Sequence, residues 1–287
     1  MFAIYKRELK SYCTGMIAPI FSALLLVLVG IFTTATNLMS GYPNFEYALA
    51  SVLIIYLIIM PLLSMRSFAE DLHTRTDQLL FSLPMKLSAV VFAKYMAMVT
   101  VLGANCLIMC FYPLILSLYG TVNFAVTFSA ILAFFLLGCA LIAIGMFLSS
   151  LTESQVIAAV LSLGVFILLY LMGSLITLIP VTATASLIGC YLLAGAAALI
   201  LYYMTKNSVA SLGLAVATVF SITAVYLIRS TLFVGLIQKI LSVTAIFDRF
   251  TNFTNGVVDI TALVYYISVS ALFVFFTVQS MEKKRWL

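Results

Sequence analysis

The chain has 287 residues, of which 65% are apolar or aromatic and only 8% are charged, with 14 Lys+Arg, 9 Asp+Glu and a net charge of +5. An ordinary soluble domain is about 45–50% apolar and about 25% charged. Because a soluble chain of this length could not hide so much apolar surface, the composition excludes a soluble enzyme, a nucleic-acid-binding protein and a disordered chain. The remaining class is a helical protein that crosses a membrane several times.

Residues 2–13 have the pattern of a short amphipathic helix. Its apolar positions recur at helical spacing, and they are Phe2, Tyr5, Leu9 and Tyr12. Charged residues that include Lys6 and Arg7 occupy much of the remaining surface. Such a helix lies in the membrane interface, with its apolar side in the acyl chains and its cations near anionic headgroups. It serves either as an anchor alone or as an elbow helix that seats a partner.

Stretches without charge define the membrane spans. A span needs about 20 apolar residues, so each of the charge-free blocks 95–152 and 154–205 holds two spans. The apolar runs do not alternate with polar residues, which argues against the strands of a membrane β-barrel. The sequence therefore predicts an all-α polytopic membrane protein with a single transmembrane domain over 1–287. The eight predicted spans are 16–36, 46–66, 92–118, 125–150, 154–178, 185–205, 208–235 and 260–281.

The distribution of Lys and Arg predicts the orientation. Cytoplasmic loops of membrane proteins carry an excess of Lys and Arg. With the N-terminus inside, eleven of the 14 cations are cytoplasmic, namely Lys6, Arg7, Lys10, Arg66, Arg75, Lys86, Lys94, Lys206, Lys283, Lys284 and Arg285. An even number of spans returns the C-terminus to the same side. We therefore expect a multi-pass protein of the cell (inner or cytoplasmic) membrane with both termini in the cytoplasm.

The predicted cytoplasmic loop 67–91, between spans two and three, holds three acids and the only histidine of the chain. Thr74 and Asp77 form a capping box that opens a short helix, and Pro84 ends it. This short helix has an apolar face and a charged face, which is typical of a docking surface, although a solvated loop is the alternative. The candidate docking residues are Glu70, Asp71, His73, Thr74, Arg75, Thr76, Asp77, Gln78, Leu79, Leu80 and Leu83.

Two further features lie outside this loop. Apolar residues in segment 236–259 recur at three- and four-residue steps, which predicts one or two short external helices that dip into the outer leaflet and return. Asn105 is the best isolated polar residue inside a span, and we expect it to form an interhelical hydrogen bond.

Several chemical motifs are absent from the sequence. A GxxxxGK[ST] phosphate loop does not occur, so the chain does not bind ATP by that route. HExxH and GxSxG are also missing, and the five cysteines lack the spacing of a metal site or a disulfide framework. We therefore predict a chain that is not an enzyme and that holds no cofactor or metal of its own.

The loop resembles that of the permease subunit of type 2 ABC transporters. The matching positions are Glu70, Asp71, Thr76, Leu79, Leu80, Pro84 and Lys94. Two positions depart from the family pattern, because Arg75 stands where glycine is usual and Gln78 stands where an acid is frequent. The segments 6–10, 247–250, 256–259, 265–266 and 277–286 resemble the GldF-like gliding-motility branch. The family commonly has six spans, so the helix pair over 185–235 is additional.

The resemblance implies partners and a mechanism. It implies a separate ABC ATPase, two copies per complex, that binds ATP and Mg and docks on residues 70–84. It also implies a second permease copy or paralogue, a central pathway from spans two and five, and room for an accessory substrate-binding membrane protein. Tyr56, Met60 and Phe166 are the candidate pathway residues. An ATP-independent secondary transporter and a non-transporting scaffold are the alternatives; the first would have inverted repeats and broken helices at the midplane.

Overall fold

The computed structural model describes residues 2–75, 86–205, 218–224, 226 and 233–286. All regular secondary structure in these ranges is helical, which confirms the predicted all-α fold. Six segments of the described chain are long and apolar enough to cross a bilayer, and they are Ile17–Leu38, Phe45–His73, Leu87–Leu116, Phe124–Leu151, Gln155–Leu178 and Ile260–Lys284. These six segments correspond to the predicted spans one to five and eight.

The chain divides into two compact units, of which the first comprises Met1–Tyr170 and Ile246–Leu287. Its helices up to residue 116 are α1 (Phe2–Thr14), α2 (Ile17–Thr33), which continues as a π-helix (Thr34–Leu38), α3 (Phe45–Ser64), α4 (Arg66–His73), α5 (Leu87–Met109) and α6 (Phe111–Leu116). The later helices are α7 (Phe124–Leu151), α8 (Gln155–Leu178), which crosses into the second unit, a 3-10 turn (Asp248–Phe250), α11 (Thr251–Thr254) and α12 (Ile260–Trp286).

Helix α7 forms the centre of the first unit. It packs against α3, α4, α5 and α12. Two glycines on one face of α7 allow the closest approach, since a Cβ on Gly145 would lie 2.1 Å from Ser64 Oγ and one on Gly138 would lie 2.4 Å from Tyr56 Oη. Helices α3 and α7 are therefore in contact at the backbone of these two glycines, and side chains of α3 fill the space beside that backbone.

The second unit, Leu171–Ala245, contains the end of α8, α9 (Ala183–Thr205) and α10 (Leu236–Ser242). Helix α10 packs on α9, where a Cβ on Gly189 would lie 2.6 Å from Ile237 Cγ1, and Gln238 Nε2 donates a hydrogen bond to the Ile179 carbonyl at 2.6 Å. Helix α9 covers the predicted sixth span. The predicted seventh span, 208–235, lies largely outside the described residues, so the total of eight spans stays a prediction.

The short helices expected within 236–259 are present as α10, the 3-10 turn and α11. Phe250 and Phe253 are fully buried in the first unit, where α11 packs on α3 and α7. Asp259 then caps α12, since its carboxylate accepts hydrogen bonds from the Thr261 and Ala262 amides and from Asn252 Nδ2. The Asn252 bond and these amides lower the pKa of Asp259. Entry of this segment into the outer leaflet stays a prediction.

Candidate functional site

The second span continues as helix through α4, beyond the predicted end of the span at residue 66. Residues 67–73 of the predicted cytoplasmic loop 67–91 are therefore helical, and the cytoplasmic position of this loop stays a prediction. Arg66 and Glu70 form an ion pair one helical turn apart, and Phe68, Ala69 and Leu72 are buried on the opposite face. Both patterns stabilise a helix. Glu70, Asp71 and His73 accordingly lie on a rigid element.

The docking residues that follow α4 are described only in part. His73 is exposed, and the Thr74 hydroxyl donates a hydrogen bond to the Glu70 carbonyl at the end of α4. Arg75 has a φ of 54°, in the left-handed region that favours glycine, which gives a physical reason why glycine is usual at this position in the resembling family. The short helix and the Asp77 half of the predicted capping box lie outside the described residues, as do the remaining candidates, which are Thr76, Asp77, Gln78, Leu79, Leu80 and Leu83.

Ser149, near the end of α7, holds the junction between α3 and α4. Its hydroxyl donates to the Met65 carbonyl at 2.9 Å and accepts from the Phe68 and Ala69 amides at 3.2 and 3.0 Å. These backbone groups need partners because the helix is interrupted at Met65 and the junction is buried. One fully buried hydroxyl thus replaces the missing helical hydrogen bonds and fixes the direction in which α4 leaves the second span.

Lys94 of α5 holds the other side of α4. Its Nζ lies 2.8 Å from Asp71 Oδ2 and 3.5 Å from Glu8 Oε2, and it donates a 2.8 Å hydrogen bond to the Ser67 carbonyl. Lys94 is only 3% exposed, and its ammonium also lies 5.3 Å from the centre of the Phe68 ring. Helices α1, α4 and α5 therefore meet at one buried cation.

Helix α1 is present as predicted, and part of its surface packs on protein, whereas contact of its exposed residues with acyl chains stays a prediction. Ile4 packs on Val90 and Ala93 of α5, and Tyr12 is buried in the main core. Burial, with a smaller contribution from the carboxylate of Glu8, raises the pKa of the Tyr12 phenol. Helix α1 therefore packs on α5 through Ile4 and Tyr5. Of the predicted interfacial residues, Tyr5 and Leu9 are half-buried, whereas the exposed ones are Phe2, Lys6 and Arg7.

Comparison with known proteins identifies the family. A family model described as "ABC-2 family transporter protein" matches residues 29–228, which is more than half of the chain. The chain belongs to the ABC-2 transporter family. No curated protein and no solved structure matches it.

Membership in the ABC-2 family confirms the main part of the resemblance. Family members are the membrane subunits of transporters and are not themselves catalytic, so the chain is a transport permease subunit. The matched residues include α4, Lys94 and Ser149, so the geometry at α4 belongs to the ABC-2 domain itself.

The three candidate pathway residues of this ABC-2 permease lie in the interior of the first unit. Tyr56, Met60 and Phe166 are fully buried, and the Tyr56 ring stacks on Phe134 with centroids 4.2 Å apart. Their side chains therefore contribute to the packing of a single chain, and a role in a pathway between two chains stays a prediction.

One interhelical contact of the ABC-2 domain can be predicted from the sequence, whereas others cannot. Asn105 Nδ2 donates to Ser22 Oγ of α2 at 2.9 Å, which confirms the expected interhelical hydrogen bond. Ser149 belongs to no sequence motif, and Lys94 matches the family's loop pattern, which does not specify the groups that contact its ammonium. The seven-residue spacing of Gly138 and Gly145, which places them on one helix face, was the available signal for the contact between α3 and α7.

Proposed function

We propose that this ABC-2 permease is the membrane-spanning subunit of an ATP-driven transporter, most simply an exporter, and that a separate ABC ATPase docks on residues 70–84. In this proposal two ATPase copies bind ATP and Mg, and two permease chains, identical or paralogous, enclose the pathway. The chain lies in the inner membrane with both termini in the cytoplasm, and it is a member of the GldF-like branch.

The observation that supports ATP-driven coupling is the attachment of α4. This helix leads directly into the docking residues, and it is tied to α7 through Ser149 and to α5 through Lys94. A short helix fixed at two buried points moves with its neighbours instead of bending alone. The docking residues that follow α4, 74–84, are called the docking segment below. A displacement of this segment would be passed to the spans that form the core of the first unit.

The charge distribution supports the cytoplasmic position of the docking segment. Lys6, Arg7 and Lys10 are exposed on α1, the helix whose Glu8 reaches the cation beside α4. Lys86, just before α5, is also exposed. These four exposed cations lie at the same end of the first unit as α4. Such an excess of Lys and Arg is typical of a cytoplasmic surface.

Replacing two leucines of the docking segment by aspartate tests the proposal. We expect Leu79→Asp with Leu80→Asp to reduce co-purification of an ABC ATPase from native membranes by at least about tenfold. Docking of the ATPase would have to strip the water from the two new aspartate carboxylates, which costs free energy. The measurement is purification of the tagged chain in mild detergent, with mass spectrometry and vanadate-sensitive ATP hydrolysis as readouts.

The matched control places the same two charges at the other end of the first unit. Tyr119 and Thr121 are exposed, so Tyr119→Asp with Thr121→Asp should leave the ATPase bound. Unchanged ATPase recovery with the leucine variant would remove residues 70–84 from the docking surface. Absence of any ATPase from the wild-type preparation, together with ATP-independent transport, would favour the secondary transporter.

A further inference from the structure

The ammonium of Lys94 is fully committed to protein partners. Its Nζ donates a hydrogen bond to the Ser67 carbonyl and forms ion pairs with the Asp71 and Glu8 carboxylates, and the Lys94 side chain is 4% exposed. A buried ammonium without partners costs several kcal/mol in desolvation, so these three groups are a requirement for a charged lysine at this site. The partners come from two helices, α4 and α1, neither of which carries Lys94.

Beside the apolar packing of α1 on α5, a single acid of α1 contacts the buried cation. Glu8 lies between two cations, with Arg7 Nη2 2.8 Å from its Oε1 and Lys94 Nζ 3.5 Å from its Oε2. The Glu8 side chain is 13% exposed, whereas that of Arg7 is 62% exposed. Solvent weakens the ion pair between Arg7 and Glu8, whereas burial protects the ion pair between Lys94 and Glu8 from solvent screening. Glu8 therefore connects α1 to the buried cation that also holds α4.

We propose that Lys94 is a positioning residue that joins α1, α4 and α5 into one moving body. This inference rests on the proposed function, because it takes the docking segment after α4 as the place where the ATPase acts. Ser149 fixes the root of α4 on α7, and Lys94 fixes the turn containing Ser67 and Asp71 on α5. When the docking segment moves, Glu8 carries the same displacement to α1, which borders the first span.

Hydrogen exchange on the permease alone tests the junction. We expect Lys94→Met to speed amide exchange in peptides covering 2–14 and 66–73 by at least about fivefold, since both helices lose their shared partner, with exchange in α7 unchanged. Lys94→Arg should restore part of the protection. Lys86→Met removes an exposed cation from the same part of the chain and should change nothing. Equal exchange in Lys94→Met and wild type would overturn the proposal.

A second variant separates positioning from a merely structural role. Glu8→Gln removes the negative charge that pairs α1 with Lys94, keeps the apolar packing of α1 on α5, and leaves Lys94 with Ser67 and Asp71. In the wild-type permease–ATPase complex, ATP with vanadate should change exchange in both α4 and α1. In Glu8→Gln the α4 response should remain and the α1 response should fall by at least about fivefold, whereas Arg7→Gln should keep both. A full α1 response in Glu8→Gln would overturn the proposal.

Failure of the two proposals can be told apart. If no ATPase joins the complex, the proposed function fails, and the exchange of the permease alone still measures whether Lys94 holds α1 and α4 together. If the ATPase binds and α1 responds without Glu8, the positioning role fails and the docking function stands.

Discussion

Gly145→Leu is expected to destabilise the protein by about 3–4 kcal/mol, which corresponds to a fall in Tm of about 10 °C. Even a Cβ at this position would lie 2.1 Å from Ser64 Oγ and 2.7 Å from Ser64 Cβ, and a real Cβ essentially never comes so close to another atom. A leucine adds three further carbons at the same contact. Helices α3 and α7 would have to separate, and the junction at α4 would move with them.

The experiment is a thermal melt of the purified chain, followed with a thiol-reactive dye, because Cys106 and Cys139 are buried and become reactive on unfolding. Gly164→Leu is the matched control, since nothing lies within 4 Å of a Cβ at Gly164. Its Tm should stay the same or rise slightly. Gly145→Ala should also lower the Tm. Adding Ser64→Gly to that variant should restore part of the lost Tm, because it removes Ser64 Oγ and Ser64 Cβ, the two atoms with which the new Cβ collides. Equal melting of Gly145→Leu and wild type would show that α3 and α7 do not approach as described.

Ser149→Ala is expected to destabilise the protein by about 2 kcal/mol. The substitution leaves the Phe68 and Ala69 amides and the Met65 carbonyl without their partner, and each buried unsatisfied group costs about 1–3 kcal/mol. Part of this cost is recovered if the helix straightens so that the Ala69 amide reaches the Met65 carbonyl. The same straightening would redirect α4, so exchange in 66–73 should change together with the Tm.

The neighbouring serine provides the control for this prediction. Ser150 is equally buried, but its hydroxyl donates to the Phe147 carbonyl of its own helix and bonds to Ser280 Oγ of α12. Ser150→Ala should therefore cost about 1 kcal/mol and leave exchange in 66–73 as in wild type. If the two variants behaved alike, the hydroxyl of Ser149 would have no special part in holding α4.

The membrane spans could be predicted from the sequence because the bilayer imposes a length. Blocks without charge gave 16–36 for the first span, which the structure has as Ile17–Leu38. They also gave 154–178 for the fifth, which it has as Gln155–Leu178. The first span lies between Lys10 and Glu46, and the fifth begins after Glu153 and ends before Pro180, so charges and a helix-breaking residue locate these helices.

The contacts between helices could not be predicted in the same way. Helix α4 contains Arg66, Glu70 and Asp71, and this charge resembles that of a loop until Lys94 and Ser149 are seen to lie beside it. The apolar stripe of α1 is the same whether it faces lipid or α5, because both are apolar. Pairing between helices depends on contacts between residues far apart in the chain. The apolar periodicity of one helix does not show which distant residues it will contact.

Photo-crosslinking from position 78 tests the central claim most directly. A photoreactive amino acid at Gln78, in the full chain and in native membranes, should form an adduct with an ABC ATPase, because this residue belongs to the docking segment that follows α4. The same group at Tyr119, at the opposite end of the first unit, should form none. An ATPase adduct from position 78 alone is the predicted result. Its absence in a membrane that transports normally would contradict the account, as would labelling of the thiol in Gln78→Cys by an impermeant maleimide added outside intact cells.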